Sequence, residues 1–310
     1  MGLLLNGKWT EDEPSDLKRN SKNVRFSKGF SSFVCKEDPI FLPEKNRYLL
    51  LVNYTCPWSH LTMIGRVLKG LQTTIPLVFL NPVKGPRSWR FYGEKFDTAI
   101  QASHLYELYI HSKKDFTGRV TIPVLWDQKN KIIVNNNSSE ILQMFDTSFE
   151  PSAEDSVYSL NPKKCSLKSA RLNRFISNYI NDGIYRCLLS KTDVEKKSSE
   201  RFFFKSLTFL DSDLQKRRYL VDEIPTEADW RLFVTLIRFE LIYSNLFFRK
   251  RQTLYKFKNI QDYLKRLFFY PQISTTIDFH KMVRGYYGTL GKKEDESKTI
   301  EFMKKFKKVL

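Results

Sequence analysis

The chain has 310 residues, 41% hydrophobic and 15% aromatic, enough apolar material to bury the cores of two domains of ordinary size. With 25 Phe, 15 Tyr and 5 Trp, disorder as the main state is excluded. Lysine and arginine outnumber the acids 52 to 34, and the net charge of +18 admits nucleic-acid or anionic-surface binding beside a plain lysine-rich surface.

Residues 1–45 read as a mostly irregular N-terminal arm punctuated by Pro14, Gly29, Pro39 and Pro43. Its start lacks a basic leader and a small-residue cleavage site, so no secretory signal is expected, and Asn6 stands where myristoylation needs Ser or Thr. Arg47 to Tyr54 is a nearly continuous apolar run, the pattern of a strand buried on both faces. Pro57 suits a first helical turn, and Met63, Val67, Leu68 and Leu71 continue with helical spacing. A strand at Pro76–Leu80, a long loop through Gly85 and Trp89, and a short helix at His104–His111 follow. Thr121 to Asp127 reads as a strand broken early by Pro123. Lys131–Val134 is its hairpin partner, and Ser138–Phe145 a helix with Ile141, Leu142 and Phe145 on one face. The order strand, helix, strand, strand, strand, helix over residues 46–149 is an α/β unit of thioredoxin type.

Residues 150–165 have linker composition. Beyond them the chain reads as all-α over residues 165–291, with helices at Leu167–Leu189, Asp193–Leu214, Glu227–Phe248 and Ile260–Phe269. Thr226-Glu-Ala-Asp229 is a capping box. Residues 292–310 form a charged tail. No apolar run approaches the ~20 residues a bilayer demands, so no membrane span is expected.

The chemistry centres on Asn53-Tyr-Thr-Cys56-Pro-Trp-Ser-His60. Cys56 falls between a buried strand and a helix start, where free amides and the helix dipole favour a thiolate and lower the thiol pKa below its ordinary ~8.5. Ser59 stands three places on, so no second thiol can resolve a mixed disulfide internally, and an external thiol must finish the reaction. Cys35, Cys165 and Cys187 complete a set of four with no Cys-x-x-Cys pair, which points to a reducing, cytoplasmic setting. If the Ile122–Pro123 bond is cis, the Ile122 backbone would be open to an extended peptide-like ligand. Asn137-Ser138 opens a helix whose amides suit a carboxylate. The four histidines share no ligand spacing, so no metal is expected, and no phosphate-binding glycine loop is present.

These residues resemble the xi class of glutathione transferases, the glutathionyl-hydroquinone reductases, which are related to the omega class. The resemblance spans about residues 30–290. It rests on Cys56-Pro-Trp-Ser-His60, Trp89-Arg-Phe91, Leu105-Tyr-Glu-Leu-Tyr109, Gly118-Arg-Val-Thr-Ile-Pro-Val-Leu-Trp-Asp127 and Val134-Asn-Asn-Asn-Ser-Ser-Glu-Ile141. Asn181-Asp-Gly-Ile-Tyr-Arg186, Thr226-Glu-Ala-Asp-Trp-Arg-Leu-Phe233, Arg238-Phe239 and Arg284-Gly-Tyr-Tyr-Gly288 continue it. The implied architecture is that of a glutathione transferase, a thioredoxin-like domain followed by an all-helical one.

The resemblance also implies roles. Cys56 would attack the glutathionyl sulfur of the substrate. Trp89 would stack on glutathione, Arg119 would hold its charged end, and the Ile122 backbone would bond its cysteinyl part. Ser138 would bind the γ-glutamyl carboxylate. Asn137 would face the α-ammonium, a place where the family usually has Glu, so a charge-assisted bond of about 1–2 kcal/mol is lost. Tyr185, Tyr286 and Tyr287 would line the quinone pocket and assist proton transfer. The family pairs through its helical domain, so a homodimer is expected. The basic run Leu246–Lys258 and a lysine-rich end in place of the family's proline-rich one are further departures.

The expected function is removal of glutathione, the co-substrate, from glutathionyl-hydroquinones through a cysteine mixed disulfide. The partners are then glutathione and glutathionyl-quinol small molecules, with no membrane partner, and nucleic acid is disfavoured because the excess charge gathers away from Cys56. The alternatives are an omega-like thioltransferase or dehydroascorbate reductase, and a catalytically silent basic binding protein.

Overall fold

The computed structural model describes residues 2–11, 27–93, 96, 100–149, 158–248 and 252–308. Pro14, the start of the linker, and Arg249, Lys250 and Arg251 of the basic run lie outside them. The chain divides into two units, one of Met1–Ser156 with Arg284–Glu294, the other of Val157–Val283 with Asp295–Leu310.

The first unit is built on β3 (Tyr48–Val52), β4 (Leu77–Phe79), β5 (Val124–Asp127) and β6 (Ile132–Asn135), in the order β4-β3-β5-β6. β3 runs parallel to β4 and antiparallel to β5, and β5 is antiparallel to β6. The period-2 alternation of strands sorts the side chains onto two faces. Tyr48, Leu50, Val52 and Leu125 join Met63 of helix α1 (Pro57–Leu68) and Ile141, Met144 and Phe145 of a later helix in one core. Leu51, Val124 and Trp126 join Leu105, Leu108 and Tyr109 of α2 (Leu105–Ser112) in the other. The later helix is α3 (Ser138–Thr147). The uninterrupted apolar run of β3 is thus explained by burial on both sides. Arg47, at its start, is buried and pairs with the fully buried Asp127, Nη2 to Oδ2 2.7 Å, which fixes the β3–β5 register at its far end.

The segment read as an irregular arm contains an antiparallel hairpin, β1 (Leu3–Leu5) and β2 (Lys8–Thr10). Its turn is Asn6-Gly7, with φ of +47° and +74°. That dipeptide between apolar residues is a two-residue hairpin signal in the sequence, overlooked because each strand is only three residues long. Leu4 exchanges main-chain bonds with Gly118, N to O 2.9 and 2.8 Å, so the hairpin lies beside the segment that carries Arg119.

The second unit is helical: α4 (Ser166–Ile176), a π-turn at Ser177–Asn181, α5 (Asp182–Leu189), α6 (Asp193–Leu214) and α7 (Glu227–Leu236). A second π-turn at Phe239–Tyr243, α8 (Lys258–Phe268), part of α9 (Phe279–Thr289) and α10 (Glu296–Lys308) follow. The reading of Leu167–Leu189 as one helix is interrupted only by the first π-turn. α6 begins after Thr192, which forms a capping box with Glu195. Asp229, fully buried, accepts from the Leu220 and Thr226 amides at 2.9 and 2.7 Å and from the Tyr263 hydroxyl at 2.9 Å. Its carboxylate therefore ties the loop before α7, the helix start and α8 together. Among the described residues no helix is long and apolar enough to cross a membrane.

Candidate active site

Cys56 caps the N-terminus of α1, with Pro57 at the first helical position. Its Sγ accepts the Ser59 amide at 3.4 Å and lies 3.6 Å from the Ile122 carbonyl oxygen. The β3–β5 register explains the second contact. Leu51 pairs with Val124, so the chain just before β5 reaches the end of β3, where Cys56 follows. The Ile122–Pro123 bond is cis.

Sequence reasoning missed the residues that shape the loop before Cys56. Asn53 is fully buried, donates through Nδ2 to the Leu80 and Asn81 carbonyls at 3.1 and 2.6 Å, and accepts the Thr55 amide at 2.8 Å. The Thr55 hydroxyl donates to the Pro82 carbonyl at 2.9 Å. The loops after two parallel neighbouring strands are thereby stitched together. A buried, polar Asn closing an apolar strand was the available signal.

Gly285 packs on that stitch. A Cβ there would lie 2.7 Å from the Pro82 carbonyl oxygen and overlap the Thr55 hydroxyl, and one at Gly288 would lie 2.7 Å from Val83 Cγ2. The two glycines of Arg284-Gly-Tyr-Tyr-Gly288 allow α9 to approach the loop that delivers Cys56. Tyr286, buried, and Tyr287, half-buried, stand on this same stretch. Tyr185 belongs to the other unit, where its ring packs 5.6 Å from Phe247 and 6.2 Å from Tyr243.

Thr121, next to Ile122, is held by Tyr109 of α2. The Tyr109 hydroxyl donates to the Thr121 carbonyl at 2.8 Å and accepts from the Thr121 amide at 3.2 Å and from Asn136 Nδ2 at 3.0 Å. Burial pushes this phenol above its ordinary pKa, so it stays a protonated donor. Nothing local in the sequence marks the pairing of residues 109 and 121.

At the far end of β6, Asn137 caps α3: its Oδ1 accepts the Ser139 and Glu140 amides at 2.9 and 3.4 Å. Ser138 is buried at the first position of that helix. Arg119 is exposed and Trp89 half-buried, with the Lys84 ammonium 5.7 Å above the indole. The first unit therefore carries Cys56, Trp89, Arg119, Ile122, Asn137, Ser138, Tyr286 and Tyr287, and leaves Tyr185 to the second. The arrangement offers a sulfur at a helix N-terminus beside the main chain of Ile122, with cations and a second helix start in the same unit.

The glutathione S-transferase N-terminal domain family matches residues 55–148, and the C-terminal domain family matches residues 201–266. The chain is 33% identical over 299 residues to the glutathionyl-hydroquinone reductase YqjG of Escherichia coli, covering 93% of this chain and 90% of that protein. Among solved structures, a xi-class glutathione transferase from Natrialba magadii superposes with a TM-score of 0.86 at 34% identity, covering 93% of this chain and 90% of the other. The glutathione-bound structure of the Escherichia coli protein gives 0.80 at 31% identity, covering 93% and 91%. The likeness runs through both units, takes in the Cys56 loop, and comes with the thioredoxin-like and helical architecture in the same order. This chain accordingly belongs to the xi-class glutathione transferases, the family of the glutathionyl-hydroquinone reductases, and is a glutathione transferase-like oxidoreductase.

Proposed function

We propose that this enzyme removes glutathione from glutathionyl-hydroquinones through a mixed disulfide on Cys56. The observation that carries the reading is the Cys56 sulfur at the N-terminus of α1, accepting the Ser59 amide, with a serine rather than a second thiol at position 59. The amides and dipole of that terminus favour the thiolate. The thiolate attacks the sulfur of the conjugate and forms the Cys56–glutathione disulfide. The carbon–sulfur bond breaks, and the ring carbon takes the electron pair and a proton to leave as hydroquinone. A second glutathione thiolate then attacks the mixed disulfide, releases glutathione disulfide and returns the Cys56 thiolate. The ring is reduced and two glutathione sulfurs are oxidised, so the electrons balance.

Binding follows the layout of the first unit. The main chain of Ile122, beside the Cys56 sulfur, pairs with the cysteinyl part of the tripeptide. Ser138 and the α3 amides take the γ-glutamyl carboxylate. Asn137 keeps its side-chain oxygen on the cap and offers only an uncharged partner to the α-ammonium. Trp89 stacks on the tripeptide and Arg119 meets its charged end. The phenols of Tyr286 and Tyr287, on a helix packed against the Cys56 loop, hydrogen-bond the hydroquinone oxygens and aid the proton transfer. The glutathione-bound relative supports glutathione as the co-substrate.

The test is turnover of a glutathionyl-hydroquinone with glutathione, together with intact-mass analysis. The wild-type chain should gain one glutathionyl adduct on Cys56 when the second thiol is withheld, and Cys56→Ser should neither form it nor turn over. Undiminished turnover by Cys56→Ser would sink the mechanism.

A further inference from the structure

In place of a second thiol, α1 carries a serine at position 59 whose own side chain is anomalous. Ser59 is fully buried at the third position of the helix, and among the described residues its hydroxyl has no hydrogen-bond partner. A buried polar group left unpaired is costly, and in a native protein it calls for a reason. A helical serine ordinarily bonds back to a carbonyl of the preceding turn, and Ser59 does not. The Cys56 carbonyl, one turn earlier, already accepts the His60 amide at 3.0 Å.

Helical spacing decides what the hydroxyl can reach. Residues 56, 59 and 63 share one face of α1. On the C-terminal side stands Met63, buried in an apolar core with Leu50 and Val52. On the N-terminal side stands the Cys56 sulfur, and helical side chains lean toward the N-terminus. The Ser59 amide reaches that sulfur at 3.4 Å. A turn about the Ser59 Cα–Cβ bond, with no backbone movement, carries the hydroxyl toward the same atom. A thiol sulfur is a weak acceptor and holds a hydroxyl poorly, whereas a thiolate is charged and holds it well.

We propose that the Ser59 hydroxyl turns to donate to the Cys56 thiolate, as a second donor beside the Ser59 amide. Ser59 is then a catalytic residue that stabilises the charge on the reacting sulfur. It acts twice per cycle: on the thiolate before it attacks the conjugate, and on the thiolate released when the second glutathione takes the mixed disulfide apart. Ser59 keeps its proton throughout, and only its hydrogen bond follows the charge. The proposal rests on the mechanism above, in which that thiolate is the nucleophile.

The experiment follows iodoacetamide alkylation of Cys56 across pH by peptide mass analysis, with turnover of a glutathionyl-hydroquinone, for the wild-type chain, Ser59→Ala and Thr62→Ala. Ser59→Ala should raise the midpoint of Cys56 ionisation by about one pH unit, the effect of one hydrogen bond to a charged group. It should lower kcat and leave the KM for glutathione unchanged. The charged and titratable groups of the segments around the Cys56 loop, among them His60 of α1, Tyr109 of α2, Arg119 ahead of Ile122, and Arg284 and Tyr286 of α9, stay the same in every variant. Thr62→Ala removes a neighbouring buried hydroxyl that donates to the Ser59 carbonyl at 2.8 Å, and should leave the midpoint in place. An unchanged midpoint in Ser59→Ala would overturn the proposal, as would an equal rise in Thr62→Ala, which would mark a general loosening of the helix start. With hydroquinone turnover intact, either result leaves the proposed function standing. A raised midpoint in Ser59→Ala without turnover by the wild-type chain supports the Ser59 bond and overturns the proposed function. A wild-type midpoint at the ordinary thiol value of ~8.5 overturns both.

Discussion

The Cys56 sulfur lies 3.6 Å from the main-chain oxygen of Ile122, a residue 66 positions away in sequence. This proximity joins the proposed nucleophile to the segment proposed to bind the tripeptide, and it depends on the antiparallel register that sets Leu51 against Val124. Several consequences can be measured.

The four cysteines should separate by reactivity. Cys56 is partly accessible at a helix start, whereas Cys187 is fully buried on α5 and its thiol is pushed up to about 12, chiefly by burial. A raised thiol pKa keeps the proton on, so at pH 8 only about one Cys187 in ten thousand is ionised. Brief iodoacetamide treatment of the native chain should label Cys56 and spare Cys187, as read by peptide mass analysis. Labelling of Cys187 at the rate of Cys56 would contradict the burial.

Tyr109→Phe should loosen the segment beside Ile122. The change removes one donor to the Thr121 carbonyl and strands the Thr121 amide and Asn136 Nδ2 without that acceptor. Stability should fall by about 1–3 kcal/mol. The KM for glutathione should rise several-fold, while Cys56 alkylation, set by the α1 terminus, changes little. Equal alkylation and unchanged KM would show that Thr121 is held by other means.

Gly285→Ala should push α9 off the Cys56 loop. The added carbon meets the Thr55 hydroxyl and the Pro82 carbonyl, and overpacking of this kind costs about 1–3 kcal/mol. Hydroquinone turnover should drop about tenfold with helical content retained. Adding Thr55→Ala should recover part of the loss, because it clears one of the two obstacles, and a strictly additive double mutant would argue against the contact.

Asp229→Ala should be the most damaging of these changes to the helical unit. It leaves the Leu220 and Thr226 amides and the Thr226 and Tyr263 hydroxyls without their buried acceptor. A loss of about 3–5 kcal/mol in denaturant unfolding is expected. A loss below about 1 kcal/mol would mean that the loop before α7 rearranges to satisfy these donors.

Much of the architecture was open to a reader of the sequence. The apolar run of β3 and the capping box of α7 at Thr226 and Asp229 are local patterns whose cause lies within a few residues. The β1–β2 hairpin was missed although Asn6-Gly7 announces it, because three-residue strands give too few positions for an alternation to show. The two π-turns, at Ser177–Asn181 and Phe239–Tyr243, left no local mark, since an inserted residue in a helix shifts its face without changing the composition.

The candidate site divides in the same way. The amino-acid order alone set Cys56 at the junction of a buried strand and a helix, with no partner thiol at position 59, and reduced a cysteine count of four to one candidate nucleophile. It also marked Ile122-Pro123 and Asn137-Ser138 as local breaks in regular structure. Only the tertiary structure brought Ile122 to the sulfur, Tyr109 to Thr121, Gly285 to Thr55 and Lys84 over Trp89. Capping, proline and strand signals act over a few residues and can be read in order along the chain. Strand register and glycine contacts are decided by which distant segments share a core, and that is settled only when the chain packs.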